Sequence, residues 1–438
     1  MFFNSPILIN IDSLLKIGIA LSAFGVALSY SNIYLFHIWF FFLGIIWIIQ
    51  QKVRGNVFSL SIRYSNHILF LIGMLVWYTI TIFWTPDIIL GLKYLFYIIC
   101  GIIITSSIIQ LSSNIEKFDS MFRVLCCVFI IELIVASSES FDLFRWPISP
   151  YSPWHKFFGK EVLDSFATQN LSTYFKSNPP TGFHWNTNNL AITMVLILPF
   201  FLCHKKLSLN IIGSLSITLI TIFSASRAVF LALILIFILY LLIIKKRIAI
   251  LSLIWIFILG LFWGIGNFKD SEDPRINEIA NSGEALQLFL LGNLDIGGSL
   301  EWRRQLVNDG IDSLINSKGL GVGAGGTTAI QEKKGGVAGR FTSMHNFWIE
   351  ILVEGGIIFG ILGLIWYINI LINLYTISRN KFSPELIYYS KALMLSMVGF
   401  VPAAISASST IYFFPMWIMF GMAISIITLY RKSLYINN

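Results

Sequence analysis

Residues 222–247 read IFSASRAVFLALILIFILYLLIIKKR. A serine-flanked arginine, Arg227, opens the stretch, an uncharged apolar run follows from Ala228 to Ile244, and Lys245, Lys246 and Arg247 close it. An apolar run of about 17–25 residues matches the hydrocarbon thickness of a bilayer. Lipid offers the backbone no hydrogen-bond partners, so the run must be a helix that satisfies its own peptide groups. Basic residues collect on the cytoplasmic side of such helices. The KKR end is therefore expected inside and the SASR end outside.

The pattern repeats in both directions from this stretch. Spans are expected at 8–29, 33–50, 67–84, 88–109, 121–138, 187–203, 208–224, 228–244, 248–266, 346–372, 386–406 and 411–430, about a dozen helices. Counted from a cytoplasmic N-terminus, the inner connections hold Lys52, Arg54 and Arg63; Lys117 and Arg123; Lys205 and Lys206; Lys245, Lys246 and Arg247; Arg379 and Lys381; Arg431 and Lys432. The short outer turns around Ser31, Thr85, Ser224 and Ser409 hold almost no Lys or Arg, and Arg227 is the exception. Both termini are expected to be cytoplasmic. The opening residues lack a basic n-region, so no cleavable signal peptide is expected.

Composition agrees. Hydrophobic residues are 56% of 438 positions and charged residues 12%, with a mean hydropathy of +0.78. A soluble surface needs roughly 25% charge. The net charge of +8 follows from topology, so no nucleic-acid partner is expected. Cys100, Cys126, Cys127 and Cys203 fall within or at the ends of spans without metal spacing and read as small buried hydrophobes.

The expected organisation is an all-α integral membrane protein with two long non-cytoplasmic loops. Five helices occupy 1–138, a first outer loop 139–186, four helices 187–266, a large outer loop 267–345 and three helices 346–438. The first loop holds PISPYSPW and SNPPTGFHWNTNN, whose proline and asparagine content favours ordered turns. The second is too long for a simple connection. Its EWRRQLVNDGIDSLI stretch spaces Trp302, Leu306, Ile311, Leu314 and Ile315 as an amphipathic helix would.

Candidate chemistry concentrates in the outer segments. Arg227 is misplaced under the positive-inside rule, although snorkelling to headgroups is the plain alternative. Arg303 and Arg304 precede a glycine string, Gly319, Gly321, Gly323, Gly325 and Gly326, that permits close backbone approach and offers N–H groups for an anion. The string is no dinucleotide fingerprint, because its spacing is wrong and no βαβ unit surrounds it. His345 is expected in the first turn of the helix that re-enters the membrane, where the helix N-terminus would keep its ring neutral. Glu350 and Glu354 lie off the His345 face and read as polar residues packed against neighbouring helices or lining a wet cavity, as do Lys16, Lys93, Glu132 and Lys391. The 13 tryptophans read as interfacial anchors. No HExxH, acidic metal cluster or Walker loop occurs in the exposed segments, so neither metal nor cofactor is expected.

GFHWNTNNLAITMVLILPFF, SASRAVF, RRQLVNDGIDSLINSKGLGVGAGG and HNFWIEILVEGGIIFG resemble, in order and spacing, the O-antigen polymerase/O-antigen ligase superfamily from about Pro179 to Leu364. The HN motif with its following glycine pair is the most specific part. The resemblance implies a GT-C-like membrane glycosyltransferase of the cell inner membrane, acting on undecaprenyl-diphosphate-linked glycan donor and acceptor at the outer face. It implies catalytic roles for Arg227, Arg303 and His345. It adds Arg304, Arg340 and Asn346 as candidate diphosphate or glycan contacts. Membrane lipids, a chain-length regulator and a flippase are the implied partners. The chain departs from the family's Gly-x-x-Gly after the histidine: Gly356 is followed by Ile357, Ile358 and Phe359 before Gly360. Polymerisation of repeat units into O-antigen or capsule is favoured over ligation to lipid A core. A flippase or transporter is the reading from another class, disfavoured because no internal repeat is evident.

Overall fold

The structure, a computed structural model, describes residues 11–54, 66–160, 178–243, 280, 299–337, 342–380, 383–407 and 411–437. The span expected at 248–266, Arg340 and the basic residues Arg63, Lys245, Lys246, Arg247 and Lys381 lie outside the described residues.

The chain is helical apart from a two-residue antiparallel hairpin, Ser29–Tyr30 with Ile33–Tyr34, among the described residues. Its helices are α1 (Ile11–Phe24), α2 (Leu35–Arg54), α3 (Asn66–Thr81), α4 (Ile88–Leu111), α5 (Ile115–Ser140), α6 (Thr187–Leu202), α7 (Leu207–Phe223), α8 (Arg227–Ile243), α9 (Ser299–Asn316), α10 (Gly326–Lys333), α11 (Phe347–Arg379), α12 (Pro384–Ala403) and α13 (Phe414–Asn437). Helices thus cover eleven of the twelve ranges expected to span. Among the described residues, six segments are long and apolar enough to cross a membrane, those of α1 with the following turn, α4, α5, α11, α12 and α13. α3, α6, α7 and α8 are shorter apolar helices. The protein is a multi-pass membrane protein.

Local chemistry starts and stops these helices. Asp87, Asn114 and Asn186 accept the N–H of Leu90, Lys117 and Asn188 and so cap α4, α5 and α6. Ser383 and Pro384 start α12, where a missing N–H costs nothing.

Long-range contacts orient the bundle. Tyr388 donates to the Phe200 carbonyl at 2.9 Å and Ser396 to that of Leu196 at 2.7 Å, so α12 runs antiparallel to α6. α8 and α6 lie on α12, and a Cβ on Gly399 would meet both Ile236 and Val195. α4 and α13 run parallel: Gly101 packs on Trp417, and Gly421 on Ile108. At one end of the bundle lie Lys117 paired to Asp12, Arg123 beside Asp119, and Lys432 donating to the Ser113 carbonyl. The opposite end carries the hairpin, residues 141–160 and 178–186, and α9–α10.

Several side chains differ from expectation. In α9, Leu306 and Leu314 are buried, but Ile315 is 68% and Ile311 39% exposed. The packed face repeats every fourth residue (Trp302, Leu306, Gly310, Leu314), and the two isoleucines lie one residue off it. Lys93 is exposed near the start of α4 instead of packed between helices, and Cys127 is exposed although Cys100 is buried. Both occupy outward faces of helices, the surface that lipid would cover.

Candidate active site at the end of the bundle away from the basic residues

Three connections converge at the end away from the basic residues: the α7–α8 turn, the lead into α11, and the α12–α13 connection. The α7–α8 reversal takes three residues, with Ala225 in the left-handed region at φ 52°. Arg227 then opens α8, nine residues or about 13 Å outward from the Gly399 contact at Ile236. On the same side, α12 ends at Ala403, four residues or about 6 Å beyond Gly399.

His345 is not in the first turn of α11. Its φ of 48° is left-handed and Asn346 is the cap, its Oδ1 accepting the Ile349 N–H at 3.3 Å. The Phe347 N–H donates to the Ala404 carbonyl at 3.2 Å, which ties this helix start to the end of α12. The histidine residue is partly exposed, but its Nδ1 is shielded from water. Burial pushes the imidazole down from 6.5 to about 4, the Arg303 guanidinium pushes the same way, and the Ser406 carbonyl opposes them. The ring is therefore neutral at pH 7, as expected, but through desolvation and a neighbouring cation in place of the helix terminus.

The structure brings Arg303 and His345 into electrostatic contact across more than forty residues of sequence. Arg303 is half-buried on the inner side of α9, whereas Arg304, one residue on, is exposed. α9 is held down by a small apolar core of Leu306, Leu314, Val322, Met344 and Val353. A Cβ at Gly310 would meet the Met344 Cε at 2.2 Å, so glycine lets α9 sit close to the residue preceding His345. Arg340 lies outside the described residues.

The glycine string does not lie open to a ligand. The Val322 and Gly323 N–H groups donate to the Val353 and Glu354 carbonyls, Ile357 N–H donates to the Gly319 carbonyl, and Ala324 N–H donates to Thr81 Oγ1. The segment is stitched edge-on to α11 where that helix breaks at Gly356 (φ 83°, ψ 170°). The group cradled here is the chain's own: Thr327 Oγ1 donates to Glu354 Oε1 at 2.8 Å, and the Gly325 and Thr327 N–H groups face the same carboxyl group. Glu350 is also buried and accepts from Tyr94 at 3.2 Å. Both glutamates support the outer segment from beneath, as packed polar residues.

A family model described as O-antigen ligase matches residues 212–368, from α7 through Arg227, Arg303 and His345 into α11. The match covers just over a third of the chain, and over that range the chain is similar to the O-antigen ligase family. It is also similar to the teichuronic acid biosynthesis protein TuaE of Bacillus subtilis (strain 168), 20% identical over 383 residues, which cover 85% of this chain and 74% of that protein. Every candidate site residue lies inside the matched range, and GFHWNTNN (182–189) lies outside it.

That unmatched stretch holds polar residues whose individual positions carried no signal in the sequence. His184 Nε2 lies 3.1 Å from Glu132 Oε1 and 2.9 Å from Thr193 Oγ1, all buried. Glu139 accepts N–H bonds from Trp146, Thr181 and Gly182 at 3.0, 2.6 and 2.7 Å, closing the first outer segment on itself. Glu132 met the reading given to membrane carboxylates in general, but its partner was not evident.

Proposed function

We propose that this protein polymerises undecaprenyl-diphosphate-linked oligosaccharide repeats into a surface polysaccharide at the outer face of the cell membrane, by inverting glycosyl transfer. The observation that carries the reading is the neutral His345 beside the Arg303 charge, two residues before Phe347, which lines an apolar groove. The groove has a volume of about 330 Å³ and runs between α3, α11 and α13 from Phe347 and Trp348 down to Trp366 and Phe420. A lipid chain fits such a lining, and its polar head would then sit at the His345 end.

In this reading Arg303 and Arg227 bind the diphosphate, since guanidinium forks pair with phosphate oxygens and stay charged at any pH. They stabilise the charge that grows on the leaving oxygen as the anomeric C–O bond breaks. His345 accepts the proton of the attacking acceptor hydroxyl, and displacement from the opposite face inverts the anomeric carbon. A diphosphate bound at Arg303 offsets the field that depresses His345, so the base strengthens when donor arrives. The diphosphate supplies the driving force, so the scheme calls on neither metal nor nucleotide. The basic end of the bundle then faces the cytoplasm. The description of the matching family favours a second reading, ligation of the glycan to lipid A core.

Substitution tests the roles. His345→Ala is expected to lower the transfer rate about 10²–10⁴-fold, and Arg303→Ala or Arg227→Ala about 10²–10³-fold, at unchanged membrane abundance. Full glycan polymerisation in all three variants would sink the scheme. Gene deletion separates the two readings: polymerase loss leaves single repeats on the surface, and ligase loss leaves bare core with accumulated lipid-linked glycan.

A further inference from the structure

A second polar cavity, about 600 Å³, opens at the same end of the bundle as His345 but on other elements. Its walls come from the end of α1, the Ser31–Asn32 turn, the Gly159–Lys160 corner, the His184–Asn189 start of α6, and Tyr412–Pro415. None of the catalytic candidates lines it.

The wall chemistry is that of a sugar site. Trp185 and Tyr412 offer flat faces to the C–H side of a pyranose ring, and amides offer paired donors and acceptors to its hydroxyls. Asn189 Oδ1 is buried without a hydrogen-bond partner, an acceptor that calls for a donor. Asn186 spends its Oδ1 on capping α6, which leaves its NH₂ to donate. Lys160 is the one cation in the wall, bonded to the Ser31 carbonyl with its Nζ 5.9 Å from the centre of the Trp185 ring. Beneath, the Glu132–His184–Thr193 contacts hold the His184 wall in place, and the His184 ring packs 5.6 Å from Phe413.

Two features connect the cavity to the rest of the molecule. The α12–α13 connection serves both sites: Ser406 faces His345, and six residues later Tyr412 lines the cavity. Six residues span at most about 20 Å, a distance that a short oligosaccharide bridges. Pro415 borders both this cavity and an apolar groove of about 250 Å³ between α5, α6 and α13, lined by Phe129, Phe200 and Met419. That groove is separate from the one lined by Phe347 and Trp348.

We propose that the cavity lined by Lys160, Trp185, Asn186, Asn189 and Tyr412 is a saccharide-binding subsite that holds the acceptor glycan while its terminal hydroxyl reaches His345. The acceptor role rests on the transfer reaction proposed above; saccharide binding does not. An acidic sugar would place its carboxylate at Lys160, and the apolar groove below Pro415 would take the acceptor's lipid anchor.

The test uses full-length protein in nanodiscs and short oligosaccharides released by mild acid from the source cell's own surface polysaccharide. Binding is read by saturation-transfer NMR and equilibrium dialysis, on a His345→Ala background that prevents turnover. Trp185→Ala and Asn189→Ala are expected to weaken binding at least ten-fold, and Trp185→Phe to retain most of it. Native-like elution and melting temperature show that the variants fold. Lys160→Gln is expected to weaken a uronate-containing fragment more than a neutral one. Absence of oligosaccharide binding, or binding that Trp185→Ala and Asn189→Ala leave intact, overturns the subsite. Binding lost on Arg303→Ala but kept in Trp185→Ala does so too, while sparing the reaction. Binding that depends on Trp185, in a protein whose deletion leaves the surface glycan unchanged, supports the subsite and removes the reaction instead.

Discussion

At the scale of single residues, the proposed base His345 is held in its neutral form by its surroundings. Burial and Arg303 together hold its imidazole at about 4, so the free enzyme carries a neutral ring through the whole physiological range. The pH dependence follows with a definite sign. kcat/KM reports the free enzyme and is expected to stay flat from pH 8 to below 6, then fall as pH drops through about 4. An ordinary imidazole would begin to protonate near 6.5. Removing the cation in Arg303→Gln takes away a lowering influence, so the acid limb of kcat/KM should move to higher pH while the rate falls. A limb that stays in place would show that Arg303 does not act on His345. In kcat, which reports the complex, the limb should lie above that of kcat/KM, because bound diphosphate offsets Arg303. Arg304 is exposed, and Arg304→Ala should cost less than Arg303→Ala in the same assay.

At the scale of elements, the break in α11 is what joins the membrane bundle to its outer segment. Gly356 takes φ 83°, and a Cβ there would come within 2.4 Å of the Leu320 carbonyl oxygen. Left-handed backbone plus a clash with main chain leaves no room to relax. Gly356→Ala is therefore expected to destabilise the docking of residues 319–323 by about 2 kcal/mol or more. Faster proteolysis within α9–α10 would register the loss, with α4 and α13 unaffected; cleavage at the wild-type rate would refute the assignment. The sequence showed that glycines at 319, 321, 323, 325 and 326 allow close approach. It could not show that the approaching group is the chain's own α11, since a backbone N–H bonds equally to a ligand oxygen and to Glu354. The face of α9 was half legible for a similar reason. Leu306 and Leu314 follow the packed stripe, whereas Ile315 and Leu320 stay exposed beside Ile357, an apolar strip that suits a membrane surface as well as a core.

At the scale of the whole molecule, the bundle separates its charges from its polar cavities. Basic residues from α5 and α13 meet at one end, and His345, Arg227 and both cavity mouths lie at the other. Labelling by a membrane-impermeant maleimide checks the orientation, with the four native cysteines replaced and single cysteines introduced in otherwise active protein. Ser317→Cys is expected to react on intact cells, and Lys206→Cys only after the membrane is opened. The reverse pattern would put the proposed site on the cytoplasmic side. Hydropathy and the placement of Lys and Arg determined the helical class, the helix ranges and the likeness between the two ends of successive spans, because each of these follows from a residue's own solvation and needs no neighbour. The pairing of Arg303 with His345, the occupation of the glycine cradle by Glu354, and the cavity joining Lys160 to Trp185 and Tyr412 were decided only in three dimensions. Each joins residues distant in sequence, and a contact of that kind exists only once the helices between them have packed.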